Sequence, residues 1–174
     1  MNELAETIRS IPDFPKKGIL FRDITTLLKD KTAFKKSIDM LAEKLHGKKI
    51  DYVVAVEARG FIFGGALADR LGVGFIPVRK KGKLPWKTES VTYSLEYGTD
   101  TLEIHADALQ PGDKVLIVDD LLATGGTVKA VADLVEAQNS VVTGIAFVIE
   151  LVDLHGREKL KDYDILSLVE FEGE

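Results

Sequence analysis

The chain of 174 residues is 45% apolar and 29% charged and carries a formal net charge of −5, which is typical of one globular domain with a substantial core. The negative charge argues against a nucleic-acid-binding protein, and the absence of cysteine excludes disulfides, thiol catalysis and a cysteine-based zinc site. No apolar run reaches the roughly 20 residues of a membrane span and no signal-peptide pattern opens the sequence, so we expect a cytoplasmic protein without a membrane partner.

The first half of the chain predicts a short arm followed by alternating helices and strands. Apolar residues recur at helical spacing over residues 1–11, and Pro12 ends that segment. The spacing over residues 30–44 predicts an amphipathic helix. Residues 50–56 are typical of a buried strand. A helix to Leu71 follows it, and then a further strand over residues 75–78.

The second half continues this alternation after a basic stretch and a hairpin. Residues 79–87 are basic and interrupted by glycine and proline, and residues 91–105 alternate around Tyr97-Gly98, which predicts a hairpin. The apolar run 115–118 predicts a strand buried on both faces that ends before Asp119. A helix to about residue 138, strands over 141–149 and 165–169, and a helical turn over 156–160 complete an α/β pattern with a parallel central sheet.

The segment that follows the 115–118 strand has the composition of an anion-binding turn. Residues 123–127, Ala-Thr-Gly-Gly-Thr, lead directly into a helical pattern, where unsatisfied N–H groups and the positive end of the helix dipole favour a phosphate. Asp119 and Asp120 would repel a bare phosphate, whereas ribose hydroxyls or Mg²⁺ suit them. The motif therefore predicts a sugar-phosphate site, with an ordinary strand-to-helix turn as the alternative. Neither a Walker loop nor a dinucleotide glycine motif is present.

Three charged, glycine-bearing loops follow three of the predicted strands. They comprise residues 57–60, residues 79–83 and the central motif. Because ligands in open α/β sheets bind outside the carboxyl ends of the strands, we expect these loops to converge on one site. We expect four cations of the loops to supply its positive charge: Arg59, Lys80, Lys81 and Lys83.

The central motif, residues 115–127, resembles the phosphoribosyl-diphosphate fingerprint of the type I phosphoribosyltransferases. Segments along nearly the whole chain resemble the adenine-specific members of that family, in the same order: residues 13–15, 18–24, 57–61, 79–85 and 93–98. The resemblance implies the α/β type I phosphoribosyltransferase fold, with a central mostly parallel sheet flanked by helices and a small hood formed by the N-terminal arm and a flexible hairpin loop. It implies a single domain over 1–174, with the arm at 1–29, the core at 30–174 and the loop at 80–104.

The resemblance also implies an activity in purine salvage. A pentosyltransferase of this kind transfers the 5-phosphoribosyl group from phosphoribosyl diphosphate to adenine, with Mg²⁺, and gives AMP and pyrophosphate; it works as a cytoplasmic homodimer. Two alternatives stay open, a phosphoribosyltransferase for a 6-oxopurine and a non-catalytic regulator that senses phosphoribosyl diphosphate. The arm that precedes the core favours adenine, because 6-oxopurine enzymes place their base-binding region after it.

Carried over to this sequence, the resemblance assigns four groups of site residues. Ribose and phosphate are bound by Asp119, Asp120, Ala123, Thr124, Gly125, Gly126 and Thr127. Pyrophosphate is bound by Glu57, Ala58, Arg59, Arg79 and Lys83. Adenine stacks on Phe21 and is read by backbone groups of Leu20 and Arg22. The catalytic residues are Arg59, Glu96 and Tyr97, with Glu96 expected to handle the N9 or N7 proton. Mg²⁺ is held mainly by the substrate diphosphate and ribose hydroxyls, near Asp119 and Asp120.

Overall fold

The computed structural model describes residues 3–94 and 98–173, which form nine strands and six α-helices. The strands are β1 (Arg9–Pro12), β2 (Leu20–Asp23), β3 (Tyr52–Val56), β4 (Gly74–Lys80), β5 (Thr88–Ser94), β6 (Thr99–His105), β7 (Lys114–Leu122), β8 (Val141–Leu151) and β9 (Ile165–Phe171). The helices are α1 (Glu3–Glu6), α2 (Thr25–Lys29), α3 (Lys31–Lys44), α4 (Arg59–Leu71), α5 (Gly126–Ala137) and α6 (Gly156–Lys159), with a 3₁₀ turn at Val152–Leu154.

Seven strands form the main sheet, in the order β5-β6-β4-β3-β7-β8-β9. The five strands from β4 to β9 in this order are parallel, and β6 and β5 continue the sheet as an antiparallel hairpin. The predicted mostly parallel sheet is therefore confirmed. The two strands β1 and β2 form a separate antiparallel sheet.

Both faces of the main sheet are covered, which explains why its central strands are apolar without alternation. Val53 and Ala55 of β3 belong to a cluster that includes residues of α3 and α4, whereas Val54 and Val56 belong to a cluster that includes residues of α5. The predicted helix over residues 30–44 is confirmed as α3, and Asp30 caps it by accepting the N–H groups of residues 32 and 33. None of the helices in the described ranges is long and apolar enough to cross a membrane.

The predicted helical segment over residues 1–11 is wrong beyond Glu6. Ile8 is buried, but the chain then extends and pairs Ile11 with Phe21 in the β1–β2 sheet. Tertiary pairing overrides the helical spacing because the ladder satisfies the backbone, and Arg9 donates from Nε to Asp23 Oδ2 at 3.1 Å. The short helix α2 was not predicted.

Four strands extend further than the sequence indicates: β8 and β9 by two residues each, and β4 and β7 into charged residues of the predicted site. β7 continues through both acids to Leu122, because its pairing with β8 extends from Asp119 opposite Phe147 to Leu122 opposite Glu150. β4 continues to Lys80, which lies opposite Leu102 of β6. The charged residues at these strand ends are thus held by the sheet ladder and not by loops.

Candidate active site

The carboxyl ends of β4, β3 and β7 lie side by side, because β3 pairs in parallel with both neighbours. The segments that follow these strands therefore meet at one edge of the sheet. Their contact is close: a Cβ atom on Gly60, at the start of α4, would lie 2.8 Å from Oδ1 of Asp119 and 3.3 Å from the carbonyl oxygen of Val118. Only glycine at position 60 lets the two segments approach this far.

The end of β7 opens into the predicted phosphate loop. Gly125 precedes α5 with φ of 78°, a left-handed conformation that glycine adopts without strain, and the helix begins at Gly126. The first N–H groups of a helix have no intrahelical acceptor and lie at the positive end of its dipole. A cavity of about 230 Å³ is lined by Arg59, Asp119, Asp120 and residues 121–128. Its walls and its size suit a phosphorylated sugar fragment.

The two acids of β7 have different environments. Asp119 is half-buried, and its Oδ1 accepts the backbone N–H of Asp120 at 2.9 Å. Burial, and then the neighbouring negative charge of Asp120, raise the pKa of Asp119 well above its ordinary value. Asp120 is buried, with a side chain 7% exposed, and its Oδ2 lies 2.6 Å from Nε of Arg59. The charge of Asp120 is therefore balanced by Arg59, whereas ionisation of Asp119 is energetically unfavourable.

Carboxylates also shape the cationic part of the site. Glu57 accepts the backbone N–H of Lys80 at 2.7 Å and Nη2 of Arg79 at 3.1 Å. Burial, the largest influence, raises the pKa of Glu57, but these hydrogen bonds and the charges of Arg79 and Lys83 outweigh it and leave that pKa lowered. Arg79 also donates to the carbonyl oxygen of Lys83 at 3.3 Å. Glu57 thus organises the loop through its side chain.

Lys80 departs from the expectation that it faces the site. It lies within β4, and its Nζ is 3.2 Å from Oδ2 of Asp100 on the β5–β6 hairpin. Lys81 and Lys83 are exposed in the turn that follows. The positive charge nearest the acids of β7 is therefore that of Arg59.

The predicted base-binding residues lie on β2. The rings of Phe21 and Phe14 meet edge to face at 5.1 Å, and Leu20 pairs with Pro12. The guanidinium of Arg22 lies 4.1 Å from the ring centre of Phe171, the last residue of β9. This contact places β2 at the carboxyl edge of the main sheet, the same edge as the phosphate loop. It also directs the Arg22 side chain toward β9.

Two residues outside the predicted set contribute to this edge. The hydroxyl of Tyr93, on β5, lies 3.3 Å from Oγ1 of Thr127. Glu103, buried on β6, accepts the backbone N–H of Gly82 at 2.9 Å. A carboxylate between Leu102 and Ile104 could have indicated the role of Glu103, but no local pattern predicts a contact from β5 to α5. Glu96 and Tyr97 lie outside the described residues.

A larger cavity, of about 590 Å³, lies at the opposite edge of the sheet. It is lined by the carboxyl ends of α3 and α4 and by residues that precede β3 and β4, including His46, Arg70 and Val73. None of the predicted site residues lines it, and ligands of open α/β sheets bind at the other edge. We therefore assign the functional site to the smaller cavity.

Comparison with known proteins agrees with this assignment. Residues 25–173 match the phosphoribosyl transferase domain family. The adenine phosphoribosyltransferase of Caldanaerobacter subterraneus subsp. tengcongensis is 61% identical over 171 residues, which are 98% of this chain and 99% of that protein. The chain belongs to the phosphoribosyltransferase family.

Solved phosphoribosyltransferase structures share the fold of this family member. A crystal structure of adenine phosphoribosyltransferase from Thermoanaerobacter pseudethanolicus matches with a TM-score of 0.94 at 61% identity, covering 97% of this chain and 98% of that one. The Saccharomyces cerevisiae enzyme, complexed with an imino-altritol bisphosphate and adenine, matches with a TM-score of 0.90 at 44% identity, covering 95% and 96% of the two chains. The predicted family and the predicted type I phosphoribosyltransferase fold are confirmed.

Proposed function

We propose that this chain is an adenine phosphoribosyltransferase, which transfers the 5-phosphoribosyl group from phosphoribosyl diphosphate to adenine and releases pyrophosphate and AMP. One observation carries the proposal: an anion-binding helix N-terminus, a pair of acids and a cationic loop meet at one sheet edge. This order suits a substrate with a monophosphate, a diol and a diphosphate in sequence. Relatives at 57–61% identity over nearly the whole chain carry the name of this enzyme.

In this reading the substrate lies along the carboxyl edge of the sheet. The 5-phosphate binds the backbone and hydroxyl groups of residues 123–127, and the ribose hydroxyls bind the acids Asp119 and Asp120. The diphosphate binds Arg59, Arg79 and Lys83 together with the backbone of residues 57 and 58. Adenine binds under the arm, stacked on Phe21.

The reaction breaks the bond between the anomeric carbon and the pyrophosphate oxygen, and N9 of adenine forms the new bond to that carbon. Negative charge grows on the leaving pyrophosphate, so Arg59 and the loop cations stabilise the transition state. Positive charge develops on the ribose, next to Asp119 and Asp120. We propose that Glu96 handles the N9 or N7 proton of adenine and that Tyr97 is a further catalytic residue.

Mg²⁺ fits the donor set of this site as a partner of the substrate. In the described part of the chain no three acidic or histidine side chains cluster closely enough to hold a metal by themselves. Mg²⁺ commonly uses one or two carboxylates together with substrate phosphates and water. Asp119 and Asp120 would hold it jointly with the diphosphate and ribose hydroxyls, where it neutralises charge on the leaving group.

Water must be kept from the ribose while the bond to pyrophosphate is broken. We propose that residues 1–29 act as a hood over the core, 30–174, and that the loop over 80–104 closes on the bound substrates.

We further propose that the enzyme works as a cytoplasmic homodimer. Ile62 of α4 and Phe75 of β4 are exposed apolar residues that a subunit contact would cover, and sedimentation of the purified chain tests this.

The proposed function is tested by incubating the chain with phosphoribosyl diphosphate, Mg²⁺ and one base at a time. Adenine is expected to give AMP and pyrophosphate in equal amounts, and chelation of the metal is expected to suppress the reaction. Hypoxanthine, guanine and xanthine are the comparison bases. Faster product formation from one of them would show a 6-oxopurine enzyme, and binding of phosphoribosyl diphosphate with no product from any base would show a sensor.

A further inference from the structure

The phosphate loop packs against a second segment of the chain, residues 152–160, which is part of the connection between β8 and β9. A Cβ atom on Gly125 would lie 2.6 Å from the carbonyl oxygen of Gly156. A Cβ atom on Gly156 would lie 2.2 Å from the carbonyl oxygen of Ala123 and 2.7 Å from the side chain of Leu122. The two segments therefore pack closely through their backbones, so a shift of Gly156 toward the phosphate loop would displace that loop.

The next residue, Arg157, ties this connecting segment to the sheet. Its Nε and Nη2 each donate to a different carboxylate oxygen of Glu150, at 2.6 Å in both cases. Ser167 of β9 donates to the same carboxylate at 2.6 Å and accepts from Arg157 at 3.0 Å. Glu150 is 5% exposed and lies on β8, directly opposite Leu122 of β7. The Arg157–Glu150 ion pair thus attaches the connecting segment to β8, the neighbour of β7, and β7 leads into the phosphate loop.

This ion pair has a geometric role that apolar packing cannot replace. The helix α6 has only four residues, too few to hold its shape alone. Leu160 buries the far end of the segment in the core, and Asp153 near its start accepts the backbone N–H of Gly173 at 2.6 Å. Apolar contacts are non-directional, and a single hydrogen bond restrains orientation less than a bidentate pair does. A bidentate guanidinium–carboxylate pair fixes both distance and orientation. The orientation of Gly156 against Gly125 therefore depends on Arg157.

We propose that Arg157, held by Glu150, is a positioning residue for the 5-phosphate site. It keeps Gly156 against Gly125 so that residues 123–127 retain the backbone geometry that binds the phosphate. The inference rests on the proposed function, because it assigns that loop to the 5-phosphate of the substrate. Arg157 acts through the backbone of Gly156 and touches no substrate.

The test compares Arg157→Lys and Arg157→Met with Lys159→Met, a matched change at an exposed position of the same helix. Calorimetry measures the Kd of ribose 5-phosphate, which uses the loop, and of pyrophosphate, which does not. We expect both Arg157 variants to weaken ribose 5-phosphate by roughly ten-fold, as loss of a charged hydrogen bond does, and to leave pyrophosphate affinity unchanged. Lys159→Met is expected to change neither. In kinetics, KM for phosphoribosyl diphosphate is expected to rise far more than kcat falls.

Arg157→Met leaves the buried Glu150 carboxylate without its cation and can therefore prevent folding. In that case the double variant Glu150→Gln/Arg157→Met, which removes both charges, is measured in place of Arg157→Met. Unchanged ribose 5-phosphate affinity in these variants, or an equal loss for pyrophosphate, would overturn the positioning role, even where Tm falls. Failure of the unaltered protein to bind ribose 5-phosphate is a different result: it would overturn the proposed function itself.

Discussion

The guanidinium of Arg59 and the carboxylate of Asp120 form an ion pair of 2.6 Å that joins two parts of the site. Arg59 begins α4, in the segment assigned to pyrophosphate, whereas Asp120 lies on β7, in the segment assigned to ribose. Because the Asp120 side chain is only 7% exposed, its charge needs a partner, and Arg59 supplies it. One pair of charges therefore joins the segment proposed to bind pyrophosphate to the segment proposed to bind ribose.

The first prediction tests this coupling with Arg59→Ala, Asp120→Asn and the double variant. Arg59→Ala is expected to lower affinity for pyrophosphate more than for AMP. It is also expected to lower kcat/KM, because it leaves the buried carboxylate of Asp120 without its cation. The double variant is expected to lose less than the sum of the two single losses. Steady-state kinetics, and calorimetry with each ligand, provide the free-energy changes for a double-mutant cycle. If the changes of the two single variants add up to that of the double variant within about 0.5 kcal/mol, the two residues are not coupled.

The second prediction separates the catalytic and structural effects of Asp119. Asp119→Asn is expected to lower catalytic efficiency by ten-fold or more, since a charged hydrogen bond contributes roughly 1.5–3 kcal/mol. The same change is expected to raise Tm at neutral pH. The pKa of Asp119 is raised above its ordinary value of 3.8 by folding, so its ionised form opposes folding at pH values above the folded-state pKa.

That penalty disappears as the pH falls toward the unfolded pKa of 3.8, where the carboxyl is protonated in the folded state. The gain in Tm from Asp119→Asn is therefore expected to be largest at neutral pH and to vanish near pH 4. Asp107→Asn, at an exposed carboxylate, serves as the control and is expected to change neither activity nor this pH dependence. A lower Tm with unchanged kinetics would contradict both parts of the prediction.

The third prediction uses two glycines of α4 that differ in how closely neighbouring segments approach them. A Cβ on Gly60 would lie 2.8 Å from Oδ1 of Asp119, whereas a Cβ on Gly65 would have no neighbour within 4 Å. Gly60→Ala is expected to displace Asp119 and reduce kcat/KM. Gly65→Ala is expected to keep full activity and to stabilise the helix by about 0.4–1 kcal/mol. Assays and thermal unfolding of both variants test this, and an active Gly60→Ala enzyme would show that the close approach has no function.

The fourth prediction concerns the base. Adenine donates at position 6 and accepts at N1, and hypoxanthine reverses both roles. We therefore expect the backbone C=O and N–H of Arg22, the proposed readers of the base, to discriminate between the two by about 10⁴-fold. The Arg22 side chain stacks on Phe171. Arg22→Ala is expected to raise KM for adenine by loosening the arm, while it preserves most of the discrimination. Phe21→Ala is expected to weaken adenine binding through lost stacking. Efficient use of hypoxanthine by Arg22→Ala would show that the side chain reads the base.

The sequence by itself determined the family, the mostly parallel sheet and the segments that meet at its carboxyl edge. These features depend on local order: an apolar strand, paired acids and an Ala-Thr-Gly-Gly-Thr turn before a helix are short-range patterns, each with its own physical preference. The same is true of α3, whose cap at Asp30 and apolar spacing are both visible in the sequence.

Only the tertiary structure decided how far the strands run and which side chains meet. β7 includes Asp119 and Asp120 because β8 continues to pair with it, and β1 replaces a helical turn because β2 satisfies its backbone. The contacts of Arg59 with Asp120, and of Gly125 with Gly156, join residues far apart in the chain. No local preference specifies such contacts, because they arise when packed elements bring their ends to the same edge of the sheet.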